Sequence, residues 1–173
     1  MSNKKTIIII TASVLAAVAL IAGLTVWLVN VFKSDDKSVS SGKSGDAVIT
    51  VESVSEKAGK NIKIPVKFTG NPGAMGFFLQ FEYDTEALEY LSFEKGELLT
   101  DCEVSEQDGT LKLVSVEDND ITKDGVMVYL NFKIKDNATG RSEIKLICDE
   151  NSVCNYDEQS VPVKTENGKV TVK

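Results

Sequence analysis

The chain has 173 residues and a mass of 18.8 kDa, room for one domain of ordinary size plus an appendage. Residues 34–173 hold 26 acids against 16 bases, whereas residues 1–33 hold three lysines and no acid. So acidic a body excludes a phosphate-binding surface and with it a nucleic-acid partner, and the absence of histidine excludes histidine triads, histidine metal sites and histidine proton shuttles.

From Ile7 to Phe32 the chain runs uncharged for 26 residues, IIIITASVLAAVALIAGLTVWLVNVF. At helical rise this is about 39 Å, enough to cross a hydrocarbon core of roughly 30 Å with some tilt. A cleaved signal peptide has a shorter apolar stretch. Ala17-Val18-Ala19 fits a cleavage pattern locally, but the apolar run continues beyond it. The expectation is an uncleaved anchor over 1–33, spanning the membrane through 7–32, with Trp27 near the outer interface. An amino terminus inside places the acidic body outside the cell. Residues 34–46, SDDKSVSSGKSGD, can bury no apolar surface and read as a flexible linker.

The domain then occupies 47–173. Val48 to Val54 alternates, as do Ile62, Ile64, Val66 and Phe68 with their polar neighbours, which predicts half-buried strands. Pro65 cannot donate to a ladder, so its strand is expected at an edge or with that amide facing outward. Met75 to Tyr83 is a third strand, and Asp84 caps one helical turn through Leu88. Further strands are expected at Glu89–Phe93, Thr110–Val116, Val126–Lys135, Ser142–Cys148, Val161–Lys164 and Lys169–Lys173, with Asn167-Gly168 as a hairpin turn before the last. Nine short strands with almost no helix predict an all-β sandwich. Phe77, Leu79, Phe81 and Tyr83, then Leu111, Leu113 and Ser115, then Val128, Leu130, Phe132 and Ile134 form the inward sets.

Three groups of residues resemble the cohesin family in the expected order over nearly all of 47–173. The first is GFFLQFEYD from Gly76 to Asp84, followed by Ala87-Leu88-Glu89 and Gly96-Glu97-Leu98-Leu99. The second is ITKDGV from Ile121 to Val126, with the strand to Lys135 and the turn Ala138-Thr139-Gly140. The third is the ending NGKVTV from Asn167 to Val172. The resemblance implies a nine-stranded jelly-roll β-sandwich that is a non-catalytic binding module. It also implies that the strands at 75–83, 110–116 and 126–135 neighbour one another, and that their outer face receives the helices of a dockerin-bearing protein. Calcium then belongs to the partner, the module itself needs no cofactor, and any polysaccharide association is indirect.

By register, the outward set on these strands includes Phe78, Gln80, Val114, Val116, Met127, Tyr129 and Asn131, with Glu117 and Asp118 at the rim. An outer face this apolar marks an interaction site. Well-known dockerin-binding cohesins carry asparagine and aspartate at places matching Gly76 and Phe78; their replacement here points to a more hydrophobic contact, a different dockerin class or a partner that is not a dockerin. The competing functions are a carbohydrate-binding module, with Phe78 and Tyr129 as its aromatic platform, and a self-associating surface protein. Asp118, Asn119, Asp120 and Asp124 read as a solvated acidic loop without EF-hand spacing, so no metal site is expected. No carboxylate pair is marked as catalytic. Cys148 and Cys154 enclose five residues; a disulfide between them and a pair of free thiols both remain open, with Cys102 left over.

Overall fold

In the computed structural model, which describes residues 46–173, twelve strands pack as two facing sheets. They are β1 (Val48–Val51), β2 (Val54–Glu56), β3 (Asn61–Thr69), β4 (Ala74–Tyr83), β5 (Leu88–Lys95) and β6 (Cys102–Gln107). The chain continues through β7 (Thr110–Ile121), β8 (Gly125–Ile134), β9 (Arg141–Ile147), β10 (Val153–Cys154), β11 (Lys164–Glu166) and β12 (Gly168–Val172). One sheet has five strands in the order β11-β1-β3-β8-β5. The other has seven, in the order β2-β12-β9-β4-β7-β6, with β10 paired to β4.

Period-two alternation builds the core between them. Phe77, Leu79, Phe81, Leu111 and Leu113 face inward from the seven-stranded sheet, and Ile64, Val66, Phe68, Leu130, Phe132 and Ile134 from the five-stranded one. Phe68 meets Phe77 edge-on across the gap, with ring centroids 5.9 Å apart. All three inward sets expected from the sequence are buried except Tyr83, which is half-buried against Phe132.

Several local expectations are corrected. The strands at 75–83 and 126–135 do not adjoin: β8 lies in the five-stranded sheet, on the far side of the core from β4 and β7. Met127 is fully buried. The β3–β8 ladder slips between Val66 and Lys67, which breaks alternation and leaves Met127 and Val128 both inside. The acidic stretch 118–120 belongs to β7, which runs on to Ile121. β6 is an additional strand whose sequence, CEVSEQ, is too polar to stand out. Asp84 caps a single turn that is not a helix: its carboxylate accepts from the Glu86 amide at 2.9 Å, and β5 begins at Leu88.

Asn167 is not a hairpin turn. β11 pairs in parallel with β1 in one sheet, and β12 pairs in parallel with β2 in the other, so Asn167 carries the chain from sheet to sheet. The first strand pair switches sheets at the same place. A Cβ on Gly168 would stand 2.6 Å from Val51 Cγ1 and 3.0 Å from the Glu52 carbonyl, so the crossing needs glycine. β3 is not an edge strand, but Pro65 lies just beyond the last paired residue of β1: its carbonyl still accepts from the Glu52 amide at 3.0 Å, and the ladder ends where the return N–H is missing.

The expected membrane segment at 7–32 lies outside the described residues, as does all of the linker but Asp46. Among the described residues no helix is long and apolar enough to cross a membrane.

Candidate docking face

The outer faces of the two sheets differ in kind. On the five-stranded sheet the polar side chains satisfy one another. Lys63 pairs with Glu94 at 2.8 Å and sits 4.1 Å from the Tyr129 ring centroid. Asn131 donates to Glu94 at 3.1 Å and to Ser92 at 3.2 Å, and Lys67 pairs with Glu52 at 2.7 Å. The hydrogen bond from Lys63, then that from Asn131, holds the Glu94 carboxyl below its ordinary range. Exposed pairs like these contribute little stability, but they cover most of this face with charge and leave Leu91 on edge strand β5, 44% exposed, as its one large exposed aliphatic side chain among the described residues. Tyr129 and Asn131, expected at the docking site, are therefore on the opposite side of the molecule from Phe78, Val114 and Val116.

On the seven-stranded sheet, register sets the outward residues in rows. Val116, Gly76 and Cys154 form the first; Glu103, Val114 and Phe78 the second; Ser105, Lys112, Gln80 and Ile147 the third. Phe78, Val114 and Val116 are 42%, 48% and 64% exposed. Beyond the third row the face turns polar, closed by the Lys145–Glu82 pair at 3.3 Å. Gln80 thus sits at the border between an apolar half and a charged half. Beside Val114 a groove of about 280 Å³ runs along the edge, lined by Phe93, Glu103, Val104, Ser105 and Lys112.

Glu117 is not on the rim of this face. It is 6% exposed and continues the inward phase of Leu111, Leu113 and Ser115. Its carboxylate accepts from the Thr100 amide at 3.0 Å, the Thr100 hydroxyl at 2.5 Å and the Ser115 hydroxyl at 3.0 Å, and more distantly from the Asp101 amide. Burial pushes this carboxyl up, but the donated hydrogen bonds outweigh it and hold it below its ordinary value. Glu117 therefore pins residues 100–101, the lead-in to edge strand β6.

The cysteines are free thiols. Cys154 pairs with Gly76 on the outer face, whereas Cys148 packs against the core. The two sulfurs point to opposite sides of one sheet, which excludes the Cys148–Cys154 bridge in this structure. Sequence reading missed Cys154 as a member of the face, along with Tyr156, which is 62% exposed nearby. The clue was the Gly76 position, a gap in the outward set that another segment had to fill.

The contiguous exposed set Phe78, Val114 and Val116 on one sheet of a two-sheet sandwich is the kind of surface a protein-docking module presents. The chain belongs to the cohesin family: the Cohesin domain model matches residues 47–172. It is 32% identical over 119 residues to cellulosomal-scaffolding protein A of Acetivibrio thermocellus, an alignment covering 59% of this chain and 6% of that one. It is 31% identical over 98 residues to cellulose-binding protein A of Clostridium cellulovorans, covering 52% of this chain and 5% of the relative. The chain thus spans a small fraction of the curated relatives it matches.

Among solved structures it resembles the sixth cohesin of scaffoldin B from Acetivibrio cellulolyticus, solved with a mutant dockerin. The TM-score is 0.70 at 24% identity, over 75% of this chain and all of that one. A type I cohesin–dockerin complex from Clostridium thermocellum gives 0.65 at 25% identity, over 77% and 97%. A non-cellulosomal cohesin from Archaeoglobus fulgidus gives 0.67 at 22% identity, over 75% and 92%.

Proposed function

We propose that residues 47–173 dock a dockerin-bearing protein on the outer face of the seven-stranded sheet, as a non-catalytic module. The observation that carries this reading is the exposed set Phe78, Val114 and Val116 clustered on neighbouring strands of a cohesin-family sandwich, whereas on the five-stranded sheet Leu91 stands exposed alone. Two of the similar structures are of cohesins with dockerins, which supports the partner class. Calcium, where docking needs it, belongs to the dockerin. The apolar run at 7–32 serves as a membrane anchor, holding the module outside a bacterial cell and raising the partner's effective concentration there.

Calorimetric titration of the full chain with a recombinant dockerin, in calcium and in chelator, tests the docking. The double variant Phe78→Glu, Val114→Glu should lose binding while its thermal unfolding stays within a few degrees of wild type, because both side chains are solvent-facing. Wild-type affinity in that variant would refute the site. Protease digestion of intact cells tests the placement: loss of the domain without lysis supports a surface location, and protection refutes it. The polysaccharide reading loses its platform, because Phe78 and Tyr129 stand on opposite faces.

A further inference from the structure

The docking reading leaves open which partner the face selects. Gly76 has no side chain, and an ideal Cβ there would stand 2.5 Å from Cys154 Sγ, so that sulfur occupies the glycine's place on the outer surface. Val116 flanks it on β7, and Phe78 with Val114 forms the adjoining row. Tyr156 lies two residues past Cys154, and its amide donates to Asp120 Oδ1 on β7 at 2.7 Å.

The segment that carries both residues is well tied. Its Ser152 carbonyl accepts from the Phe78 amide at 2.7 Å, its Asn155 amide donates to the Gln159 carbonyl at 3.0 Å, and its Asn155 side chain accepts from the Gln159 amide at 2.8 Å. This upper half of the face therefore presents a thiol, two valines and a phenyl ring, with the exposed Tyr156 anchored by its amide at the margin. Three strands wide from Cys154 to Val116, it measures about 10 Å, the diameter of one α-helix with its side chains. Its surroundings are acidic: outside the buried Glu117, β6 and β7 carry Glu103, Glu106, Asp118 and Asp120 against Lys112, and the 149–160 segment carries four acids and no base.

Resting on that docking reading, the geometry points to a partner helix with an aliphatic contact stripe flanked by lysine or arginine, and to Cys154 and Tyr156 as the residues that select it. Against Phe78, Val114, Val116 and the weakly hydrogen-bonding Cys154 thiol, a helix presenting hydroxyls leaves them poorly partnered once water is expelled, and an acidic helix meets like charge.

The test uses two recombinant dockerins that differ only in the contact helix, one with leucine and isoleucine at the contact positions, the other with serine and threonine, both lysine-flanked. Titrated against the full chain, the aliphatic probe should bind about tenfold tighter or better, and Tyr156→Ala should weaken it about tenfold with unfolding unchanged. Cys154→Ser should narrow the preference between the probes, and raising salt should weaken both. Equal affinity of the two probes overturns the selectivity. So does wild-type behaviour of both single variants while Phe78→Glu, Val114→Glu still abolishes binding, and in both cases docking on this face stands. Failure of both probes to bind wild type, or full binding by that double variant, overturns the docking reading and the selectivity together.

Discussion

Replacing Glu117 tests how the edge of the docking sheet is held. In Glu117→Ala the Thr100 amide and hydroxyl lose an ionised acceptor, whereas the Ser115 hydroxyl, whose single proton Glu117 shares with the Asp101 carbonyl at 2.7 Å, keeps that second acceptor. Hydrogen bonds to charged groups contribute about 1.5–3 kcal/mol each, and the losses are not additive because water reaches part of the opened site. The expected cost is about 2–4 kcal/mol at pH 7, with Glu117→Gln costing about half because one carbonyl acceptor remains.

The pH dependence has a definite sign. A carboxyl held below its ordinary value of 4.5 in the folded state adds stability above that value, and the contribution is lost as pH falls through the folded value. Urea unfolding of the full chain followed by far-UV circular dichroism, at pH 7 and at pH 3, measures it. The gap between wild type and Glu117→Gln should shrink at the lower pH. An equal gap at both would refute the ionised, hydrogen-bonded carboxylate.

Three further outcomes follow from the packing. Met127→Glu should destabilise by about 3 kcal/mol or more, because the site is fully buried, and unfolding curves distinguish this from a loss confined to docking. Gly168→Ala should cost about 1–3 kcal/mol, since the methyl group collides with Val51 and the Glu52 carbonyl; an unchanged midpoint in urea would show that the crossing has room. Without reductant, thiol titration in denaturant should find all three cysteines reactive, and a count of one would show that Cys148 and Cys154 pair after all.

Faces were legible in the sequence where apolar residues alternate without interruption. Phe77, Leu79 and Phe81 fix the inward side of β4, and Phe78 follows as outward; Leu111 and Leu113 do the same for Val114 and Val116. Neighbours were not legible. Period two says which side of its own strand a residue takes, but says nothing about which sheet the strand joins, so Tyr129 and Asn131 were placed on the wrong side of the molecule. Met127 was misplaced for another reason: one slipped residue in the β3–β8 ladder reverses the phase locally, and no composition signal announces it. Glu117 was read as rim because it is charged, yet its position two residues past Ser115 already set it inward. Cys154 and Tyr156 come from a two-residue strand and an irregular segment, where there is no periodicity to read.

The paired sheet-switching of the first and last strands also governs how the domain carries tension. β1 runs alongside β11 and β2 alongside β12, each in the same direction over three matched positions. A pull between residues 46 and 173 draws the opening strand backward and the closing strand forward along their common axis. The hydrogen bonds of both short ladders are then loaded together in shear, rather than opened one after another like a zip, so resistance to stretching is concentrated at that seam.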